Sequence, residues 1–214
     1  MIIIHNYFAA ISLTIVAMIA WGSWANTQKI AEKNWRFELY YWDKVIGIVL
    51  MSLIGAFTIG SLGSEGRSFL TDISQANTRS IFQAKLGGVL WNAGNLLLVA
   101  AIATAGISVA FPIGGGIAWI VGIMFNYIVI LMDDKVPSEK PLLLWIGVLV
   151  IIIAIFLNGK AYRGLSKVKQ KPSLRGIMLS VMGGLFIAFF YGFVAKSLDG
   201  QFVSGGTGNL TPST

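Results

Sequence analysis

The chain has 214 residues, 56% of them hydrophobic and 12% charged, where soluble domains carry about 25% charged residues. Its formal net charge is +7, with one histidine and no cysteine. This balance excludes a soluble globular domain, disulfides and thiolate metal sites.

Five stretches carry no charge: 7–28, 45–64, 86–132, 141–159 and 176–195. A helix needs about 20 apolar residues to cross a hydrocarbon core of about 30 Å. Four stretches therefore cross once. The third is long enough for two crossings, with "TAGIS" (104–108) as the break. The six expected spans are 7–28, 45–64 (beginning near Tyr41), 82–103, 109–132, 142–158 and 174–197. The runs do not alternate as barrel strands do. The fold class is therefore all-α, a polytopic membrane helix bundle whose first partner is the lipid bilayer.

Span one lacks a basic leader and a small-residue cleavage site, so it reads as a retained helix and not as a signal peptide. Its end holds Trp21, then Ser23, Asn26 and Thr27 at three- and four-residue spacing, the spacing that shares a helix face. These residues either line a passage or, with Gln28, form the wet end of the helix. Asp43 stands at the expected lip of span two after Tyr40, Tyr41 and Trp42. It is either an interfacial acid paired with Lys44 or Arg36, or a proton-coupling carboxylate.

Span three carries "WNAGN", in which Trp91, Asn92 and Asn95 can share a face. Amides at membrane depth need partners. Two amides beside an indole suit a planar, hydrogen-bonding solute, and they also suit simple helix–helix adhesion at about 0.6 kcal/mol per contact. Span four carries Pro112, which removes a backbone donor and marks a bend. Gly114, Gly115 and Gly116 follow it and permit close approach of a neighbouring backbone. Asn126 lies further along the same span. Neither "GGG" nor "NGKA" (158–161) completes a phosphate loop, so no nucleotide site is expected. Cofactor and metal are read as none, and no nucleophile–base pair points to an enzyme.

The basic residues flank the spans, so they read as topology signals and not as nucleic-acid contacts. Lys29, Lys33, Arg36, Lys44, Lys160, Arg163, Lys167, Lys169, Lys171 and Arg175 fall on one side. Arg67, Arg79, Lys85, Lys135, Lys140 and Lys196 fall on the other. The positive-inside rule puts the first side in the cytoplasm and the N-terminus outside. The tail "SGGTGNLTPST" is rich in Gly, Ser and Thr and reads as flexible.

"WGSWANTQK" (21–29), "WRFELYYWDKVIG" (35–47) and "FPIGGGIAWIVGIMFNY" (111–127) resemble the plant ureide permeases and their bacterial relatives. These belong to the drug/metabolite transporter superfamily, near the glucose/ribose porters. The resemblance implies a secondary transporter of ten helices in two inverted repeats of five. It implies a small polar solute, such as a ureide, a pyrimidine or a sugar, and a proton drive. It implies a multi-pass protein of the inner (plasma) membrane.

Residues 1–158 would be the first repeat, 159–175 a basic linker, and 176–214 the first helix of the second repeat with its tail. "AWGSWAN" (20–26) and "FYGFVAK" (190–196) share Gly and Ala at equal offsets, as the first helices of two repeats would. Six spans against ten lead to the expectation of a partial chain. The other reading is a non-transporting structural or accessory membrane subunit. A homodimer stays open beside the monomer.

Overall fold

The computed structural model describes residues 1–31, 33–132, 141–165, 173–199, 205–212 and 214, with 162–165 as backbone. The described residues form seven helices: α1 (Tyr7–Ala31), α2 (Phe37–Phe57), α3 (Phe69–Gln75), α4 (Thr78–Ala105), α5 (Ile107–Met132), α6 (Pro141–Leu165) and α7 (Leu174–Ser197). All but α3 contain a stretch long and apolar enough to cross a membrane. The described residues contain no strand beyond one isolated bridge, Leu198 to Leu210. The charged loop 133–140 and linker residues 166–172 lie outside the described residues.

The expected spans are all present, with shifted ends. Span two was expected at 45–64 and is α2, Phe37–Phe57. Its charges did not delay the helix because each has a local partner. Arg36 pairs with Glu38 at 3.1 Å, Asp43 accepts from Trp35, and Lys44 lies over the Trp24 ring. Asp43 therefore sits inside the helix and not at its lip. The helix stops where "TIGSLGSEG" begins, with the Thr58 hydroxyl donating to Ile54 O at 2.6 Å. Residues 159–165, read as linker, continue α6.

Two compact units divide the chain: Met1–Lys85 with Ala195–Thr214, and Leu86–Val194. In the first, α1 packs on α2 and leaves most of its surface exposed, including Phe8, Val16 and Met18. Such an apolar surface is what a membrane helix offers to lipid.

In the second unit, Gly106 is the single residue between α4 and α5 and takes φ +80°. Only glycine adopts that conformation without cost. Leu98 and Gly114, each eight residues from Gly106, meet across the hairpin it makes. Glycines then set the packing of α7. A Cβ at Gly94 would lie 2.8 Å from Gly183 O, and one at Gly183 would lie 2.8 Å from Gly94 O. Against α5, a Cβ at Gly184 would lie 3.0 Å from Ile117 Cβ, and one at Gly114 would lie 3.0 Å from Ser180 O. Dispersion between close backbones, not water expulsion, holds helices together in lipid.

Candidate functional site

The first polar group lies between α1 and α2. The Tyr40 hydroxyl meets Thr27 Oγ1 at 2.7 Å and donates to Trp24 O at 3.2 Å, and Thr27 Oγ1 also donates to Trp24 O at 2.6 Å. Lys44 Nζ stands 3.6 Å from the Trp24 ring centroid, within cation–π range. Trp35 Nε1 donates to Asp43 Oδ2 at 3.0 Å. Asp43 and Lys44, adjacent in sequence, are thus each held by a different indole.

Of the residues expected here, Thr27 joins this group directly. Ser23 bonds back to Ile19 O at 2.7 Å, while Trp21 and Asn26 are exposed. Gln28, expected near the wet end of the helix, is fully buried.

The second group lies on α4 and α5. Asn95 is buried and donates through Nδ2 to Trp91 O, one turn earlier, at 2.9 Å. It adjoins Gly94, at the close contact with α7. Asn92 is exposed on the same helix. Asn126 makes the same backward bond on α5, Nδ2 to Gly122 O at 2.8 Å. Pro112 lies inside α5, against the position of Gly159 on α6. Gly114 and Gly116 are buried at helix contacts, whereas a Cβ on Gly115 would meet open space. Ser180 of α7, which no spacing argument singled out, donates to Ala110 O across the α5–α7 contact.

A third group was not foreseen, and it is the most buried. Arg67 donates through Nε to Asp72 Oδ1 at 2.6 Å and through both terminal nitrogens to Asp199 Oδ2 at 3.3 Å. It also donates to Gly205 O at 2.6 Å and to Asn209 O at 3.0 Å. Asp72 also accepts from Thr211 N at 2.6 Å, Thr214 Oγ1 at 2.5 Å and Gln75 Nε2 at 3.1 Å. Burial alone would raise the Asp72 carboxyl. The Thr211 amide, the Thr214 hydroxyl and the Arg67 guanidinium outweigh it and hold the carboxyl below its usual range.

The tail read as flexible is therefore tied down in its described part. Its backbone polar groups serve as ligands for buried charges, and losing one partner of such a pair costs about 3–5 kcal/mol. Composition could not show this, because the partners lie more than 130 residues away.

Residues 40–178 match the family described as Ureide permease. Ureide permease 2 of Arabidopsis thaliana is 30% identical over 167 residues, 76% of this chain and 41% of that protein. Ureide permease 3 of the same plant is 28% identical over 177 residues, 82% of this chain and 50% of that protein. Probable ureide permease A3 of Vigna unguiculata is 31% identical over 160 residues, 73% of this chain and 41% of that protein. The chain thus spans between two fifths and one half of the length of these curated relatives. No solved structure matches it.

Proposed function

Because this multi-pass membrane chain belongs to the ureide permease family, we propose that it serves as a secondary-active permease for a small polar solute such as a ureide, a pyrimidine or a sugar. The observation that carries the reading is the family match over residues 40–178, which takes in α2 through the start of α7. The proposed site is in the inner (plasma) membrane, the drive is protons, and the chemistry is transport, not catalysis. Ten helices in two inverted repeats, with 1–158 as the first, 159–175 as the linker and 176–214 as the opening of the second, remain part of the proposal.

In this reading Trp91, Asn92, Asn95 and Asn126 contact the solute. Trp21, Ser23, Asn26 and Thr27 of α1 are further solute-binding residues of the proposal. Asp43 carries the coupling proton. Burial of the Asn95 amide one helical turn from Trp91 supports its assignment.

The second reading is a structural or accessory subunit. It draws on the backward bonds of Asn95 and Asn126, each to a carbonyl of its own helix. Uptake of labelled ureides, pyrimidines and sugars by cells expressing the full gene product separates the two. A permease accumulates one of these classes in a proton-dependent way. A subunit accumulates none.

A further inference from the structure

The group between α1 and α2 brings two hydroxyls and one carbonyl together. Thr27 Oγ1 lies 2.7 Å from the Tyr40 hydroxyl and 2.6 Å from Trp24 O, and the Tyr40 hydroxyl lies 3.2 Å from Trp24 O. Each hydroxyl has one hydrogen to donate and lone pairs with which to accept, while the carbonyl only accepts. Two hydrogens therefore serve three oxygen–oxygen contacts. Oxygens at hydrogen-bond distance repel unless a hydrogen lies between them. The two shorter contacts are both served when Thr27 donates to Trp24 O and Tyr40 turns its hydrogen to Thr27 Oγ1, with Trp24 O as its alternative acceptor. If Thr27 donates to Tyr40 instead, the Tyr40 hydrogen turns to Trp24 O. Each arrangement keeps both hydrogens inside the group. What it offers to a third molecule is acceptor capacity alone.

The group is placed to meet such a molecule. Thr27 is exposed and Tyr40 half-buried, so the hydroxyls are open on one side. Lys29 and Arg36, close by in sequence, put them toward the water-facing end of the helix pair, where a polar solute enters. The Tyr40 oxygen is held on α2 by contacts with two residues of α1, so its position is fixed before a solute arrives. A fixed acceptor selects a partner that must donate. The N–H of a ureide or pyrimidine ring is such a partner. A sugar hydroxyl turns to donate or accept, so an acceptor does not select it.

We propose that Tyr40 is a specificity-determining residue, its hydroxyl oxygen accepting one N–H of a ureide or pyrimidine solute. The inference rests on the permease reading and adds to it a residue of α2 and a preference for N–H donors over sugars. Thr27 and Trp24 position the oxygen by taking the hydroxyl hydrogens inward.

The test is binding of hydantoin, uracil, their single-N-methyl derivatives and glucose to the purified full gene product in lipid nanodiscs, for native protein and Tyr40→Phe. Tm is recorded on the same preparations. Native protein should bind hydantoin or uracil, and methylation of one particular nitrogen should weaken binding about tenfold or more, because the acceptor is left without its donor. Tyr40→Phe should weaken the parent solute by a similar factor and bring the parent and that N-methyl derivative within about twofold of each other, as a coupled pair requires.

The native protein alone already puts the proposal at risk. Equal binding of the parent and every N-methyl derivative overturns it, as does binding of glucose alone, which leaves the permease reading standing. Tyr40→Phe with native affinity and native discrimination also overturns it. A lowered Tm beside unchanged affinities would mark Tyr40 as a tie between α1 and α2. Native protein that binds none of these probes and accumulates none of the three solute classes removes the permease reading, and the inference with it.

Discussion

Asp43 accepts the indole N–H of Trp35 at 3.0 Å, eight residues back, across the turn that joins α1 to α2. The bond leaves the carboxylate on an exposed face, while its neighbour Lys44 is drawn onto Trp24. A pairing of Asp43 with Lys44 or Arg36 was one of two expectations; the described partner of Asp43 is the Trp35 indole, and Arg36 pairs with Glu38.

This arrangement makes the role of Asp43 testable. In uptake assays, Asp43→Asn is expected to keep solute exchange and to abolish accumulation against a gradient. Trp35→Phe removes the donor and should lower accumulation without abolishing it. If Asp43→Asn leaves accumulation within about twofold, the acid is an interfacial anchor, as exposed ion-pairing groups usually are.

Asn95 and Asn92 separate solute contact from helix adhesion. Asn95 is buried and Asn92 exposed. Removing one hydrogen-bond partner of a solute costs about 1–3 kcal/mol, so Asn95→Ala should lower affinity by about tenfold or more. Asn92→Ala should cost less. An adhesive role for Asn95 would instead lower Tm and leave the affinity of the surviving protein unchanged. Binding and melting on one preparation distinguish the outcomes.

Packing of α7 on α4 gives a prediction independent of transport. Gly94 and Gly183 each leave no room for a Cβ because the other's carbonyl stands there. Gly94→Ala or Gly183→Ala should therefore destabilise by about 1–3 kcal/mol, the usual cost of overpacking. Gly88→Ala, where a Cβ meets open space, should change Tm little. Equal effects at positions 88 and 94 would contradict the close helix contact.

The excess of lysine and arginine on one side predicts an orientation that can be tested. Lys33→Cys lies on the side assigned to the cytoplasm and Ser64→Cys on the outer side, and both positions are exposed. In intact cells, an impermeant thiol reagent should label position 64 and spare position 33. The reverse pattern inverts the topology.

The long helices were legible because an apolar run of sufficient length has few other folds in a membrane. The break was legible because the charge-free run 86–132 is long enough for two crossings, and Gly106 within it supplies the positive φ of the turn. The start of α2 was misplaced because charge counting treats Glu38, Asp43 and Lys44 as water-seeking. In the structure, Arg36, Trp35 and Trp24 satisfy them within the same two helices and their turn. α3 spans seven residues, too few for an apolar period to stand out. Arg67 entered the sequence argument only as a topology count. Its partners Asp199 and Asn209 lie 132 and 142 residues away, a separation that no local pattern encodes. Among the proposed site residues, Asn95 and Thr27 were placed in polar contacts by their helical spacing. Asn92 and Asn26 share that spacing and are exposed, because periodicity does not say which neighbour covers a face.

The most direct test of the account is proton-dependent uptake by cells expressing the full gene product, with labelled ureides, pyrimidines and sugars offered in turn, for native protein and Asn95→Ala. The account predicts saturable accumulation of one class that collapses when the proton gradient is removed, with apparent affinity reduced about tenfold or more in Asn95→Ala. No accumulation of any of the three classes, with the protein present and folded in the membrane, would contradict it.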